Sequence, residues 1–337
     1  MKIDDNFFMK LAIDEAWKYQ LLTYPNPAVG AVIVKNGQIL AIEAHKEAGT
    51  PHAEINALKT AFLTEDKNSL LKTLTNSSEI HDFLIKNHNG FFYDCEIYTT
   101  LEPCNHIGKT PSCANLLSIL KLKRVIIGSY DTNKVASCGI RTLEDANIKV
   151  STKVLEKECD NILIPFKAWQ NKTCIFFKMA QTLNGMIDGA VSSQRAKLYV
   201  HMLRDKIDLL MIGGNSVRID KPILDSRYVR GKNPDIMIYS KTKDFNQNIA
   251  LFKVPNRKVI ISEDLFKLLD YKFVMVEGVY KLLDILKDKI DFLVLIVSPK
   301  IRAGTNTTNN LNIDYEILHE NYLGDEKIVF LKKRINI

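Results

Sequence analysis

Two hydrophobic periods alternate along the chain. In "MKIDDNFFMKLAIDEAWKYQ" the apolar positions recur at helical spacing over residues 6–21, and the turn-forming "YPNP" ends them. "AVGAVIVKNGQILAIEAH" then switches to a β-branched run broken by Asn36-Gly37, the composition of a tight hairpin. A helix is predicted from near His52, with Ala53, Ala57, Leu58 and Ala61 as its apolar set. "CEIYTTLE" reads as a strand, "SCANLLSILK" as a helix, "RVIIGSYD" as a strand, and "TLEDANIKV" as a short helix leading into another strand. Residues 62–91 interrupt this order with a polar stretch, read as an insertion of one or two surface helices whose His81 and His88 are lone surface histidines.

"VLEKECDNILIPFKAWQNK" reads as a helix, a proline and a polar connector, and the alternation restarts after it. Strands are predicted at "CIFFKMAQ", "DLLMIGG", "DIMIYS", "KVIIS", "KFVMV", "DFLVLIVSP" and "KIVFLKK", with helices at "SSQRAKLYVHMLRDK" and "GVYKLLDILKDK". Strands alternating with helices imply a mostly parallel sheet covered on two faces. The expected organisation is therefore α/β throughout, with domains at 1–150 and 172–337 and a linker at 151–171.

Composition changes this picture little. At 337 residues, with 46% hydrophobic and 25% charged positions, the chain is an ordinary globular one of two domains. The N-terminus lacks the continuous apolar core of an export signal, and no stretch has the roughly 18 uninterrupted apolar residues of a membrane span, so a cytoplasmic protein without membrane contact is expected. The net charge of +7 is spread over scattered lysines, which describes a solvated surface better than a nucleic-acid track. Six cysteines in such a chain imply reduced thiols. Cys95, Cys138, Cys159 and Cys174 have no partner at metal spacing and read as ordinary buried or half-buried residues.

The remaining two cysteines carry chemistry. "TPHAEINALKT" at 50–60 and "TLEPCNHIGKTPSCANLL" at 100–117 supply His52, Cys104 and Cys113, three zinc ligands that leave a fourth position for water. Glu54, two residues after His52, then moves protons between water and a leaving amine. His-x-Glu followed by Pro-Cys is the known signature of zinc deaminases, although eight residues separate these cysteines where many deaminases have two. If Cys113 begins its helix, the N-terminal dipole favours its thiolate. The intervening loop offers Lys109 and Thr110 for a substrate phosphate, residues a flexible polar loop would also carry. The alternative is a closed structural site with His106 as fourth ligand.

"YPNPAVGAVIV", "HKEAGTPHAE", "TLEPCNHIGKTPSCA" and "DTNKVASCGI" together resemble the deaminase half of the bifunctional deaminase-reductase family of riboflavin biosynthesis, whose cysteine spacing is the long one. The resemblance implies a cytidine-deaminase-like α/β/α domain followed by a dihydrofolate-reductase-like α/β domain. It implies hydrolytic deamination of a phosphoribosylamino diaminopyrimidinone, a small phosphorylated pyrimidine, with Asn26 and His45 facing substrate. It also implies NADPH as a second cofactor. Sheets of four or more strands in two-domain enzymes often pair, so a homo-oligomer, dimer or tetramer, is expected.

"FFKMAQTLNGMI" and "YVHMLRDKIDLLMIGGNSVRIDKPILDSRY" are similar to the family's reductase half. On that resemblance Arg204, Leu224, Arg227 and Glu277 contact the reductase substrate, and Ser216, Asp220, Ser240 and Gly278 contact NADPH. From the residues alone, Arg204 could equally be a helix-end ion-pairing residue, and no Gly-x-Gly-x-x-Gly fingerprint marks a dinucleotide site. The chain also departs from the family. Val279-Tyr280 follows Glu277-Gly278 where family members have a second glycine, and the segment after Gly185 is about six residues shorter. Two further readings remain: a deaminase whose second half is degenerate and serves oligomerisation, and a tRNA base deaminase.

Overall fold

The computed structural model describes residues 3–67, 69–105, 111–131, 138–189, 191–306 and 311–334. The chain divides into two compact units, Met1–Phe166 and Lys167–Ile337. Residues 151–171, expected as a linker, hold two helices, Glu156–Ile162 and Ile164–Asn171.

The first unit runs α1 (Asp5–Trp17), β1 (Gly30–Lys35), β2 (Gln38–Ala44), α2 (Ala53–Glu65), α3 (Ser77–Asn87), β3 (Cys95–Leu101), α4 (Cys113–Ile119), β4 (Arg124–Ser129), α5 (Gly139–Asp145), β5 (Lys149–Ser151) and α6 (Glu156–Ile162). Its five-stranded sheet has the order β2-β1-β3-β4-β5. The Asn36-Gly37 hairpin forms, with both residues at positive φ (51° and 82°), as a tight two-residue turn between right-twisted strands requires. β1 is antiparallel to β2 and β3, whereas β3, β4 and β5 are mutually parallel. The start of β1 and the ends of β2, β3 and β4 therefore meet at one edge of the sheet. α1 crosses β1 so closely that a Cβ on Gly30 would lie 1.9 Å from the Ala12 carbonyl oxygen, which only glycine avoids.

The 62–91 stretch differs from the surface helices expected of it. It forms a 3₁₀ turn at Leu70–Thr73 and α3, but Phe62, Leu71, Ile80, Leu84 and the adjoining Phe92 are buried in the same core as Ile33, Leu58 and Ile97. His81 is buried rather than exposed, because its helix face is turned inward with Ile80 and Leu84. Cys138 also departs from expectation: it is exposed, whereas Cys95, Cys159 and Cys174 are buried.

The second unit contains α7 (Ile164–Asn171, largely within it), β6 (Cys174–Thr182), α8 (Gln194–Lys206), β7 (Leu209–Gly213), α9 (Gly214–Asp220), β8 (Asp235–Tyr239), β9 (Val259–Ser262), β10 (Phe273–Glu277), α10 (Tyr280–Leu286), β11 (Phe292–Ser298), β12 (Tyr315–Leu323) and β13 (Glu326–Lys333). The sheet order is β12-β13-β11-β6-β10-β7-β8-β9. All pairings from β11 through β9 are parallel, and the β12-β13 hairpin is added antiparallel at one edge. The sheet is thus mostly parallel, as the alternation predicts. α9 and β12 have no counterpart among the predicted elements: α9 is seven residues long, and in the edge strand β12 apolar and polar residues do not alternate, so neither carries a strong period.

Candidate active sites

In the first unit the reactive residues converge at the sheet edge where β1 starts and β2 and β3 end. His52 is the N-cap residue of α2, Cys104 follows β3, and Cys113 is the first residue of α4. One ligand atom from each lies within 4.8 Å of the other two. His52 Nδ1 is 3.6 Å from the Cys104 sulfur and 3.4 Å from that of Cys113. Ser112 clamps the two cysteines together: its hydroxyl donates to the Cys104 carbonyl at 3.0 Å and accepts from the Asn115 N–H at 3.1 Å, capping α4. The Ala114 N–H also donates to the Cys104 carbonyl, at 3.1 Å.

Glu54 projects into the same place from the first turn of α2 and is buried. Burial pushes its carboxyl up to about 7, although the neighbouring His52 acts the other way. The Cys104 thiol is held well below the usual range by the hydrogen bond from Cys113, with His52 adding to it. Two sulfurs, one of them readily ionised, and an imidazole at these separations fit a zinc ion with three protein ligands. His106, the alternative fourth ligand, lies outside the described residues, as do Lys109 and Thr110.

Asn26 and His45 are brought together beside this cluster. Asn26 Nδ2 donates to His45 Nε2 at 3.1 Å, and His45 Nδ1 donates to the Pro51 carbonyl at 3.2 Å. Burial lowers the His45 pKa to about 4, so the ring is neutral and can make this donor-and-acceptor pair. Its ring stands edge-on to His52, centroids 5.4 Å apart.

In the second unit, the expected residues gather at the carboxyl ends of the parallel strands, where α/β sheets bind ligands. Glu277 ends β10 and Gly278 follows it, Ser216 and Asp220 lie on α9 just after β7, and Ser240 follows β8. Arg204, in the last turn of α8, meets Glu277 in a two-point ion pair: Nε to Oε1 at 3.0 Å and Nη2 to Oε2 at 3.1 Å. Lys178 Nζ is 4.0 Å from the same carboxylate. Burial acts to raise the Glu277 pKa, but Arg204 and Lys178 outweigh it and hold the carboxyl low. For Lys178 burial wins over Glu277 and the pKa falls.

Lys178, His201 and Arg204 share a cavity of about 250 Å³ whose wall also includes Ile187, Val191 and Lys197. The shortened segment after Gly185 thus still contributes to a pocket. Val279 has extended backbone (φ −118°), so a side chain there costs no backbone strain. The Tyr280 hydroxyl donates to Gln181. Leu224 is buried at positive φ, while Arg227 is exposed and pairs with Asp225 at 3.4 Å. Ser240 accepts from Arg218 at 3.2 Å.

Residues 2–129 match the cytidine and deoxycytidylate deaminase zinc-binding region, and residues 173–300 match the RibD C-terminal domain. The chain is 33% identical to riboflavin biosynthesis protein RibD of Aquifex aeolicus over 246 residues, 70% of this chain and 61% of that relative. It is 34% identical to RibD of Synechocystis over 71% of this chain and 60% of that one. The chain belongs to the RibD family. Its matched part spans about 60% of the length of these curated relatives. A crystal structure of a diaminohydroxyphosphoribosylaminopyrimidine deaminase/5-amino-6-(5-phosphoribosylamino)uracil reductase from Thermotoga maritima is 26% identical, covers 98% of this chain and 99% of its own, and superposes with a TM-score of 0.65. Acinetobacter baumannii RibD, at 22% identity and a TM-score of 0.64, shares the fold.

The fold of this RibD-family chain brings in further residues that the sequence pattern does not single out. Asn56 Nδ2 donates to the carbonyls of Ala44 (2.9 Å) and Pro51 (3.2 Å), holding the turn that carries His45 and His52. Glu102 is buried and accepts N–H bonds from Asp131 (3.3 Å) and Ile140 (3.2 Å), tying β3 to the segment after β4. Gly139 packs there so tightly that a Cβ would lie 1.9 Å from the Pro103 carbonyl oxygen. Lys178 has a legible signal, a lone cation inside an apolar strand, "CIFFKMAQ".

Proposed function

We propose that the chain is a bifunctional enzyme of riboflavin biosynthesis. Its first unit deaminates 2,5-diamino-6-(5-phosphoribosylamino)pyrimidin-4(3H)-one. Its second unit uses NADPH to reduce 5-amino-6-(5-phosphoribosylamino)uracil to the ribityl product. The observation that carries the reading is the convergence of His52, Cys104 and Cys113, with the buried Glu54 beside them. His52, Cys104 and Cys113 would hold a zinc ion, which would supply Lewis-acid activation of water. The Glu54 carboxylate, raised by burial to about 7, takes a proton and returns it to the departing nitrogen near neutral pH, where such a group is efficient in the two directions. Asn26 and His45 orient the pyrimidine, with His45 kept neutral and its tautomer set by Pro51.

In the second unit Lys178 and Arg204, the latter paired with Glu277, line the cavity and would take the sugar phosphate chain, with Leu224 and Arg227 in the loop whose Asp225 carbonyl accepts from Arg204. NADPH supplies hydride. Ser216, Asp220, Ser240 and Gly278 follow the ends of β7, β8 and β10, the edge at which α/β sheets bind ligands, and would hold it. Zinc ligation by Cys104 and Cys113 needs reduced thiols, which supports a reducing, cytoplasmic setting, and the exposed Ile317 and Tyr322 on edge strand β12 support a homo-oligomer, testable by sedimentation.

The test supplies zinc-loaded protein with the diaminopyrimidinone, with and without NADPH. Ammonia release and NADPH oxidation are the expected results. Ammonia without NADPH oxidation would leave a deaminase with a degenerate second half. No ammonia, with activity on tRNA, would overturn the pyrimidine reading.

A further inference from the structure

The cavity wall of the second unit is tied to a residue outside the cavity. Arg257, just before β9, donates through Nη1 to the Leu224 carbonyl at 2.8 Å and through Nη2 to those of Ile223 (2.7 Å) and Leu251 (2.6 Å). Leu224 is buried and left-handed, with φ +58°. A side chain with a Cβ is disfavoured there and stays only where its surroundings over-determine the backbone. Arg257 supplies that determination by holding the carbonyls on the two sides of the Leu224 nitrogen and linking them to the 3₁₀ turn Ala250–Lys253.

The next residues touch side chains that line the cavity. The Asp225 carbonyl accepts from Arg204 Nη1 at 3.3 Å, and the Tyr228 ring lies against that of His201 with centroids 4.2 Å apart. Arg204 and His201 line the cavity. Further on, the loop is closed by Ser226 Oγ donating to the Lys232 carbonyl at 2.8 Å and by the Lys232 N–H donating to Asp205 at 2.7 Å. Arg257 therefore anchors one end of a segment whose middle buttresses the wall. A lysine could not repeat this: it is a point charge without the planar fork that serves several carbonyls at once.

We infer that Arg257 is a positioning residue for the reductase substrate, fixing Ile223 and Leu224 so that Asp225 sets the orientation of Arg204 toward Glu277. This inference rests on the reductase reading of the second unit. A small displacement of a binding group costs up to about a hundredfold in efficiency. Arg257→Lys is therefore expected to raise the KM for the aminouracil substrate about tenfold, with a smaller change in kcat and an unchanged deamination rate in the same chain. In Arg257→Ala, millimolar guanidinium should restore KM, a rescue that a general loss of stability would not show. Wild-type KM in Arg257→Lys, or failure of guanidinium to restore KM in Arg257→Ala, overturns the inference alone. Wild-type protein that releases ammonia but oxidises no NADPH overturns the reductase reading and this inference with it.

Discussion

Asn26 donates to His45 Nε2, and His45 in turn donates from Nδ1 to the Pro51 carbonyl. One hydrogen bond thus sets the tautomer of a neutral imidazole that stands against His52. The Asn26 side-chain oxygen takes no part in it, so it can face a substrate.

Asn26→Ala removes the partner of His45 Nε2 and leaves the ring held through Nδ1 to the Pro51 carbonyl. Deamination kcat/KM should fall by up to about a hundredfold, the cost of misplacing a group that positions the substrate. Zinc content, measured by elemental analysis, should stay at the wild-type value. Loss of the metal would mean that Asn26 supports the ligands and not the substrate side.

Glu54→Gln keeps the size of the side chain and removes its proton chemistry. Ammonia release should drop by at least about a hundredfold, in line with general acid and base catalysis, while zinc remains bound. Cys113→Ser should instead lower zinc content, because it removes a ligand.

Glu277→Gln leaves Arg204 and Lys178 without their carboxylate. Breaking a fully buried pair costs about 3–5 kcal/mol, an upper bound for this pair of side chains 12% and 13% exposed, so urea denaturation should show a loss of stability in the second unit. The pair also makes stability depend on acid. Glu277 has a folded pKa below its ordinary 4.5, so its contribution is complete above pH 4.5 and is lost as pH falls through the lowered value. That acid-sensitive component should be missing in Glu277→Gln.

Leu84→Ala tests the place of the 62–91 stretch. A surface helix would tolerate it, but Leu84 is buried with Leu71 and Ile80 in the main core of the first unit. A cost of about 2–5 kcal/mol in chemical denaturation is expected, as for other buried leucines truncated to alanine.

Some features are legible in the order of residues alone. The hairpin at Asn36-Gly37 needs only local backbone chemistry. The mostly parallel second sheet follows from apolar strand runs separated by helical ones. His52, Glu54, Cys104 and Cys113 stand out because their residue types and spacing suit one ion and one proton carrier. α9 and β12 escape the pattern because a seven-residue helix and an edge strand without alternating apolar residues carry little periodicity. The inward face of α3 escapes it because its polar residues outnumber the few leucines and isoleucines that reach the core.

The sequence by itself determined which groups are available: three soft or imidazole ligands, a carboxylate next to them, and a set of cations and acids in the second half. Tertiary structure decided which of them meet. β1 runs against its neighbours, so Asn26, His45, His52 and Cys104, spread over nearly eighty residues, arrive at one sheet edge. β10 and α8 likewise bring Glu277 to Arg204, although 73 positions separate them. Burial then set the chemistry: the carboxyl of Glu54 is raised because it lies out of water, and that of Glu277 is lowered because two cations accompany it there. Charge and residue type are written in the chain, but desolvation and partnership exist only once distant segments pack.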